Sequence, residues 1–140
     1  MRKPSPAPRT KVHEASTSRE IDAAAMTNER VDMLFVSNDP FLDSRRVQLV
    51  QLANQHRIPA TYPGREPTEV GGLMSYGSDI TDAYRQMGDY AGRILKGDKP
   101  MDLPVVQVSK FDFVINAQTA KMLGIAVPPS LLAIADQVIE

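Results

Sequence analysis

Apolar and polar positions along this chain fall into two kinds of block. Some are short apolar runs closed by turn residues, and others carry apolar side chains three and four apart. Val31–Ser37 (VDMLFVS) is the first short run and predicts a strand covered on both faces. Asn38, Asp39 and Pro40 end it, with Asp39 suited to an N-cap and Pro40 to the first helical position. A helix is predicted from there to about His56, with Leu49, Leu52, Ala53 and His56 on one stripe and Asp43, Arg45, Arg46 and Gln51 in water. Ile58–Tyr62 reads as a second strand, so strand, helix and strand form a parallel unit with a right-handed crossover. Pro63–Glu69 reads as a polar loop, Leu73–Tyr76 as a third strand, and Gly77 as its end. Asp79 then caps the clearest helix, Ile80–Lys96, where Ile80, Ala83, Tyr84, Met87, Ala91 and Ile94 keep helical spacing. Gly97 and Pro100 stop it.

Leu103–Val108 reads as extended and Phe111–Ile115 as a strand. Asn116 caps a predicted helix through Leu123, closed by Gly124, and Pro128–Pro129 introduces a last helix over Ser130–Ile139. Ahead of all this, residues 18–30 carry a thin amphipathic pattern, and residues 1–17 form a Pro-rich, basic stretch read as a disordered tail. Short strands alternating with helices give an α/β class with a parallel sheet, and no internal repeat is visible.

Composition narrows the function more than the fold. The 140 residues suffice for one domain, and 42% hydrophobic with 24% charged residues is the balance of a globular chain. Sixteen basic residues face seventeen acidic ones, so no bulk field points to nucleic acid or to an anionic membrane. Cysteine is absent, which removes disulfides, thiolate metal sites and a cysteine nucleophile. No apolar run has the length of a bilayer span, and no apolar segment follows the basic start as an export signal would require.

No catalytic constellation stands out. His13 and His56 have no partner at metal-ligand spacing, and there is no GxSxG, Walker A or GxGxxG pattern. No cofactor, metal or catalytic residue is assigned. Asp39 at a strand end admits an alternative as a phospho-accepting or Mg-binding carboxylate, but no acidic pair closes an earlier strand. What remains is the set of loops beyond the carboxyl ends of the strands, where open α/β sheets bind ligands. These are Ser37–Asn38–Asp39, Tyr62–Pro63–Gly64 and Tyr76–Gly77–Ser78–Asp79. Asn38, Asp39, Tyr62, Tyr76, Ser78 and Asp79 are the candidate ligand-binding residues, a lining suited to a small polar solute with an apolar part. Four of them also have a bland role, Asp39 and Asp79 as N-caps and Tyr62 and Tyr76 as amphipathic packing groups.

Three blocks, VDMLFVSNDPFLDSRRVQLVQLANQHRIPATY, GGLMSYGSDITDAYRQMGDYAGRILKGDKPMDLPV and KFDFVINAQTAKMLGIAVPPSLLAIADQVIE, resemble in register the second half of ABC transporter substrate-binding proteins. These are type I periplasmic binding proteins, and the subgroup is the one with tryptophan- and tyrosine-type solute receptors. The resemblance runs from about Glu14 to Glu140 and implies two parallel α/β lobes clamping a solute between them. It implies that residues 31–76 and 104–140 belong to the C-terminal lobe, while 79–103 crosses to pack on an N-terminal lobe that this chain largely lacks. Hinges are expected near Tyr76–Asp79 and Leu103–Gln107. The implied role is capture of an amino-acid-like solute for an ABC permease in the periplasm, by a chain that looks truncated and carries no signal peptide. The alternative is a remnant that binds nothing. A further expectation follows from the missing lobe: the apolar stripe of the helix at 80–96 either redocks on the chain's own sheet or drives self-association.

Overall fold

The computed structural model describes residues 11–25, 31–106 and 110–140. The amino-terminal residues 1–10 of the expected tail, the end of the first amphipathic segment at 26–30, and Gln107 and Val108 lie outside the described residues.

Helix α1 (Ser18–Ala25) starts on a capping box, in which Glu20 Oε2 accepts from the Thr17 N–H at 3.0 Å and Thr17 Oγ1 accepts from the Glu20 N–H at 3.3 Å. Strand β1 (Leu34–Phe35) is shorter than the run 31–37 suggested. Among the described residues it pairs on one side only, and Phe35 is 72% exposed, so the expected cover on both faces is not met here. Asp39 Oδ1 accepts from the N–H groups of Phe41 and Leu42, and with Pro40 at the first position it opens α2 (Pro40–Ser44). The single helix expected to His56 is two helices. Arg45 leaves helical geometry at φ −107° and ψ 15°, and α3 (Arg46–Gln55) restarts beyond it. Val50 and Ala53 are its buried positions, whereas His56 is exposed.

Strand β2 (Ala60–Tyr62) follows. The expected loop 63–69 contains helix α4 (Arg65–Glu69). Its Pro67 sits in the first turn, where the missing N–H costs no helical bond, and both Pro67 and Thr68 are buried. Strand β3 (Met74–Ser78) runs straight through Gly77, which therefore does not end it. Helix α5 (Ile80–Leu95) is as predicted, capped by Asp79 and closed at Gly97 with φ +110°. A 3-10 turn (Pro100–Asp102) precedes β4 (Phe111–Asn116), then come α6 (Ala117–Leu123) and α7 (Pro129–Ile134). The predicted last helix stops at Ile134, and the chain returns as β5 (Gln137–Ile139). The cause is Asp136, whose N–H donates to Phe113 O and whose carboxylate accepts from the Phe113 N–H, both at 2.8 Å. These two bonds place Gln137–Ile139 alongside β4.

The five strands lie in the order β1-β2-β3-β4-β5. All neighbours are parallel except β3 and β4, which run antiparallel from Met74 opposite Ile115 to Ser78 opposite Phe111. The expected parallel α/β sheet is met at three of the four pairings, and the β3–β4 pairing is antiparallel. The excursion through α5 leaves and re-enters at the same edge, since the Asp79 N–H donates to Lys110 O at 3.0 Å.

The core gathers Val36, Val50, Ala53, Ala60 and Tyr62, with Leu34, Leu42 and Leu49 packed on it. Burying each large side chain contributes about 1.5–3 kcal/mol. A polar knot fixes the turn before β3. Gly71 O accepts from Asn54 Nδ2 and from Thr119 Oγ1, each at 2.9 Å, while Asn116 Nδ2 donates to Thr68 O at 3.2 Å. Helix α5 stands apart from this core, with none of its residues buried. The expectation that it redocks on the chain's own sheet is not met.

Candidate functional site

Three strand ends meet one edge of the sheet. Phe35 is in register with Thr61, and Thr61 with Met74, so β1, β2 and β3 run level and in one direction. Asn38 and Asp39 lie a few residues beyond β1, Pro63 and Gly64 just beyond β2, and Ser78 and Asp79 at the end of β3. All of them therefore sit past the carboxyl edge, where parallel α/β sheets present ligand-binding loops.

The two loops that follow β2 and β3 touch. A Cβ built on Gly77 would lie 1.8 Å from Pro63 O and 2.8 Å from Pro63 C. Only a residue without a side chain lets the backbone after β2 press so closely against β3. Gly77, expected as a turn residue, serves close approach instead.

The candidate residues divide by environment. Asn38, Asp39, Tyr76 and Ser78 are exposed along the edge, and Asp79 is half-buried. Tyr62 is different. It is 1% exposed, its ring packs under Gly72, and its hydroxyl has no hydrogen-bond partner among the described residues. Burial pushes this phenol up to about 12.

Tyr76 and Ser78 are two apart in β3 and share a face of the sheet. Tyr76 is 58% exposed and stacks on Phe111, with ring centroids 5.5 Å apart and planes 8° from parallel. Phe113 meets the same ring edge-on at 6.1 Å. The result is an aromatic ledge beside the strand end. Neither phenylalanine was singled out in the sequence, although the alternation Phe111-Asp112-Phe113 places both on one face.

The two aspartates are not equivalent. Asp39 Oδ1 is held by two backbone N–H groups. Asp79 Oδ1 is held likewise, and its Oδ2 also meets Lys110 Nζ at 3.2 Å. The backbone N–H of Asp82, then the lysine, hold the Asp79 carboxyl below its usual range. Lys110 therefore already balances Asp79. Arg65, at the start of α4, bonds Glu69 at 2.8 Å and Gln137, and lies 3.5 Å from Asp112. It ties α4 to β4 and β5.

Among the described residues no group of three or more His, Asp or Glu side chains is placed to hold a metal ion. No helix among them is long and apolar enough to cross a membrane.

Comparison with known proteins places this edge in context. A tyrosine-binding protein of Clostridioides difficile (strain R20291) is 28% identical over 109 residues, which cover 77% of this chain and 32% of that protein. A conserved domain protein of Vibrio cholerae O1 biovar eltor superposes with a TM-score of 0.76 at 30% identity, covering 86% of this chain and 40% of that one. The ABC domain from Streptococcus pneumonia solved in complex with L-Trp superposes with a TM-score of 0.75 at 32% identity, covering 86% of this chain and 41% of that one. The chain thus spans about a third of the length of the curated relative and about two fifths of the solved structures. The sheet of alternating strands and helices is the fold it shares with them. The pattern of the family described as ABC transporter substrate binding protein matches residues 10–139, nearly the whole chain, and the chain belongs to that family.

Proposed function

We propose that this chain supplies one wall of a cleft that captures a small amino-acid-like solute, as part of the binding component of an ABC importer working in the periplasm. The observation that carries the reading is the gathering of three parallel strand ends on one edge, where Asn38, Asp39, Tyr76, Ser78 and Asp79 lie. The chemistry suits a zwitterion with an apolar side chain. Asp39 accepts from an ammonium group, Asn38 and Ser78 fix orientation, and the Tyr76 ring covers a flat or apolar side chain. Asp79, paired with Lys110, positions the end of β3 rather than meeting the solute directly. Tyr62 supports the edge from beneath. A tyrosine-binding protein and an L-Trp complex among the relatives favour an aromatic amino acid as the first solute to try.

The test is a thermal shift of the 140-residue chain with L-tryptophan, L-tyrosine and other free amino acids. A ligand at a hundred times its dissociation constant stabilises by about 2.7 kcal/mol, which moves the melting temperature by several degrees. A saturable shift with an amino acid is expected, and Asp39→Ala and Tyr76→Ala should each reduce it. A shift produced only by Mg2+ or phosphate would transfer the site to the phospho-receiver alternative. No response to any amino acid would overturn ligand capture by this chain. That outcome would leave the alternative of a remnant that binds nothing, which the share of its relatives that the chain spans also supports.

A further inference from the structure

Phe111 lies between two residues of the proposed cleft wall. In the antiparallel register of β3 and β4 it faces Ser78 directly, while Tyr76 faces Phe113. Phe111 is therefore diagonal to Tyr76, a separation of about 7–8 Å that aromatic rings can bridge. They do bridge it, since the two rings stack with centroids 5.5 Å apart. Because β4 runs opposite to β3, its first residue stands at the carboxyl end of β3, on the edge where the candidate residues gather. Directly opposed residues share a face of the sheet, so Ser78, Tyr76 and Phe111 share one. A solute that touches both the Tyr76 ring and the Ser78 hydroxyl passes over Phe111. The two phenylalanines of the ledge differ in what they offer such a solute. Phe113, farther from the edge, is 9% exposed and serves as packing, whereas Phe111 is 47% exposed.

We propose that Phe111 is a further solute-contacting residue and the one that sets selectivity, favouring flat aromatic side chains over aliphatic ones. This inference rests on the reading of the edge as one wall of a solute-binding cleft. Its basis is the difference between two kinds of contact. A ring laid on the stacked pair of Tyr76 and Phe111 gains the quadrupole attraction of offset or edge-to-face geometry in addition to burial. An aliphatic side chain gains burial alone. The Phe111 side chain has no polar atom, so it cannot hold the ammonium or carboxylate group that all amino acids share. Removing its ring therefore changes the discrimination between side chains and leaves recognition of the common group in place.

The chain contains no tryptophan, so the emission of added L-tryptophan reports its own binding. Titration of the 140-residue chain with L-tryptophan, followed by competition with L-leucine, gives the two dissociation constants. Phe111→Leu should weaken L-tryptophan about three- to tenfold and move L-leucine less than about twofold. Phe111→Tyr, which keeps a ring, should restore the parent ratio. Equal weakening of both solutes by Phe111→Leu would show a structural role only and overturn the proposal, as would an unchanged ratio. A parent chain that binds neither solute would overturn the cleft reading and this inference with it, whereas binding with an unchanged ratio overturns this inference alone. Phe111→Trp reads the contact directly, and does so even where Phe111→Leu fails to fold. It places a single tryptophan on the ledge, whose emission L-phenylalanine should shift at concentrations that raise the melting temperature. An emission that stays fixed while L-phenylalanine raises the melting temperature would overturn contact at Phe111.

Discussion

Tyr62 shows how one residue can sit at a predicted site and serve another purpose. Its position at the end of β2 suggested a ring lining the edge, yet the ring is enclosed. Nothing in its neighbours along the chain tells which way the ring turns. That is decided by Gly72, which a Cβ would bring within 2.7 Å of the ring. The buried hydroxyl has no hydrogen-bond partner among the described residues, so the ring contributes by packing. Tyr62→Phe should therefore change stability by less than about 1 kcal/mol, while Tyr62→Ala should cost about 3–5 kcal/mol. The phenol also gives a pH signature. Its folded pKa, about 12, lies above the unfolded value near 10. The stabilisation is then fully present below pH about 10 and is lost as pH rises toward about 12. Urea melts of both proteins across that alkaline window would check it. Tyr62→Phe should lack this part of the loss, and equal alkaline loss in the two would show that the phenol is not the group responsible.

Elements differ in how local their causes are, and this decides which of them the sequence discloses. Two glycines separate the cases. Gly77 in β3 faces the Pro63 carbonyl with no room for a methyl group, whereas Gly88 in α5 has nothing within 4 Å of a built Cβ. Gly77→Ala should destabilise by about 3 kcal/mol, because backbone must move. Gly88→Ala should stabilise by about 0.5–1 kcal/mol, because alanine is the better helix former. Chemical denaturation of both variants would expose an error in either sign. Helix α5 was legible because its periodicity, its Asp79 cap and its Gly97 stop are all local. Helix α4 was not, since five residues that include Pro67 make no periodic signal, and Thr68 is buried by distant strands. Strand β5 hid inside an apolar run that continues the helical pattern of α7, and the bonds between Asp136 and Phe113 and the pairing with β4 separate them. The candidate edge was half legible for the same reason. Strand ends follow from the sequence pattern, but Lys110, Phe111 and Arg65 join the edge through pairings between distant segments.

At the scale of the molecule, the antiparallel step between β3 and β4 divides the chain into a sheet unit and an excursion. Ser78 faces Phe111, and the Asp79 N–H bonds Lys110 O at 3.0 Å, so the two ends of the excursion are already neighbours. Between them lies α5, which has no buried residue, while the core residues Val36, Val50, Ala60, Tyr62, Val114 and Ile115 all lie outside it. Folding of the sheet therefore does not need the excursion. It needs only that Asp79 and Lys110 be joined by a turn that matches the strand twist, and Asn-Gly does this in two residues. A chain in which residues 80–109 are replaced by Asn-Gly should fold cooperatively with a melting temperature close to that of the parent at low concentration. Loss of a cooperative transition on excision would mean that α5 and its return segment support the sheet through contacts that side-chain burial does not reveal.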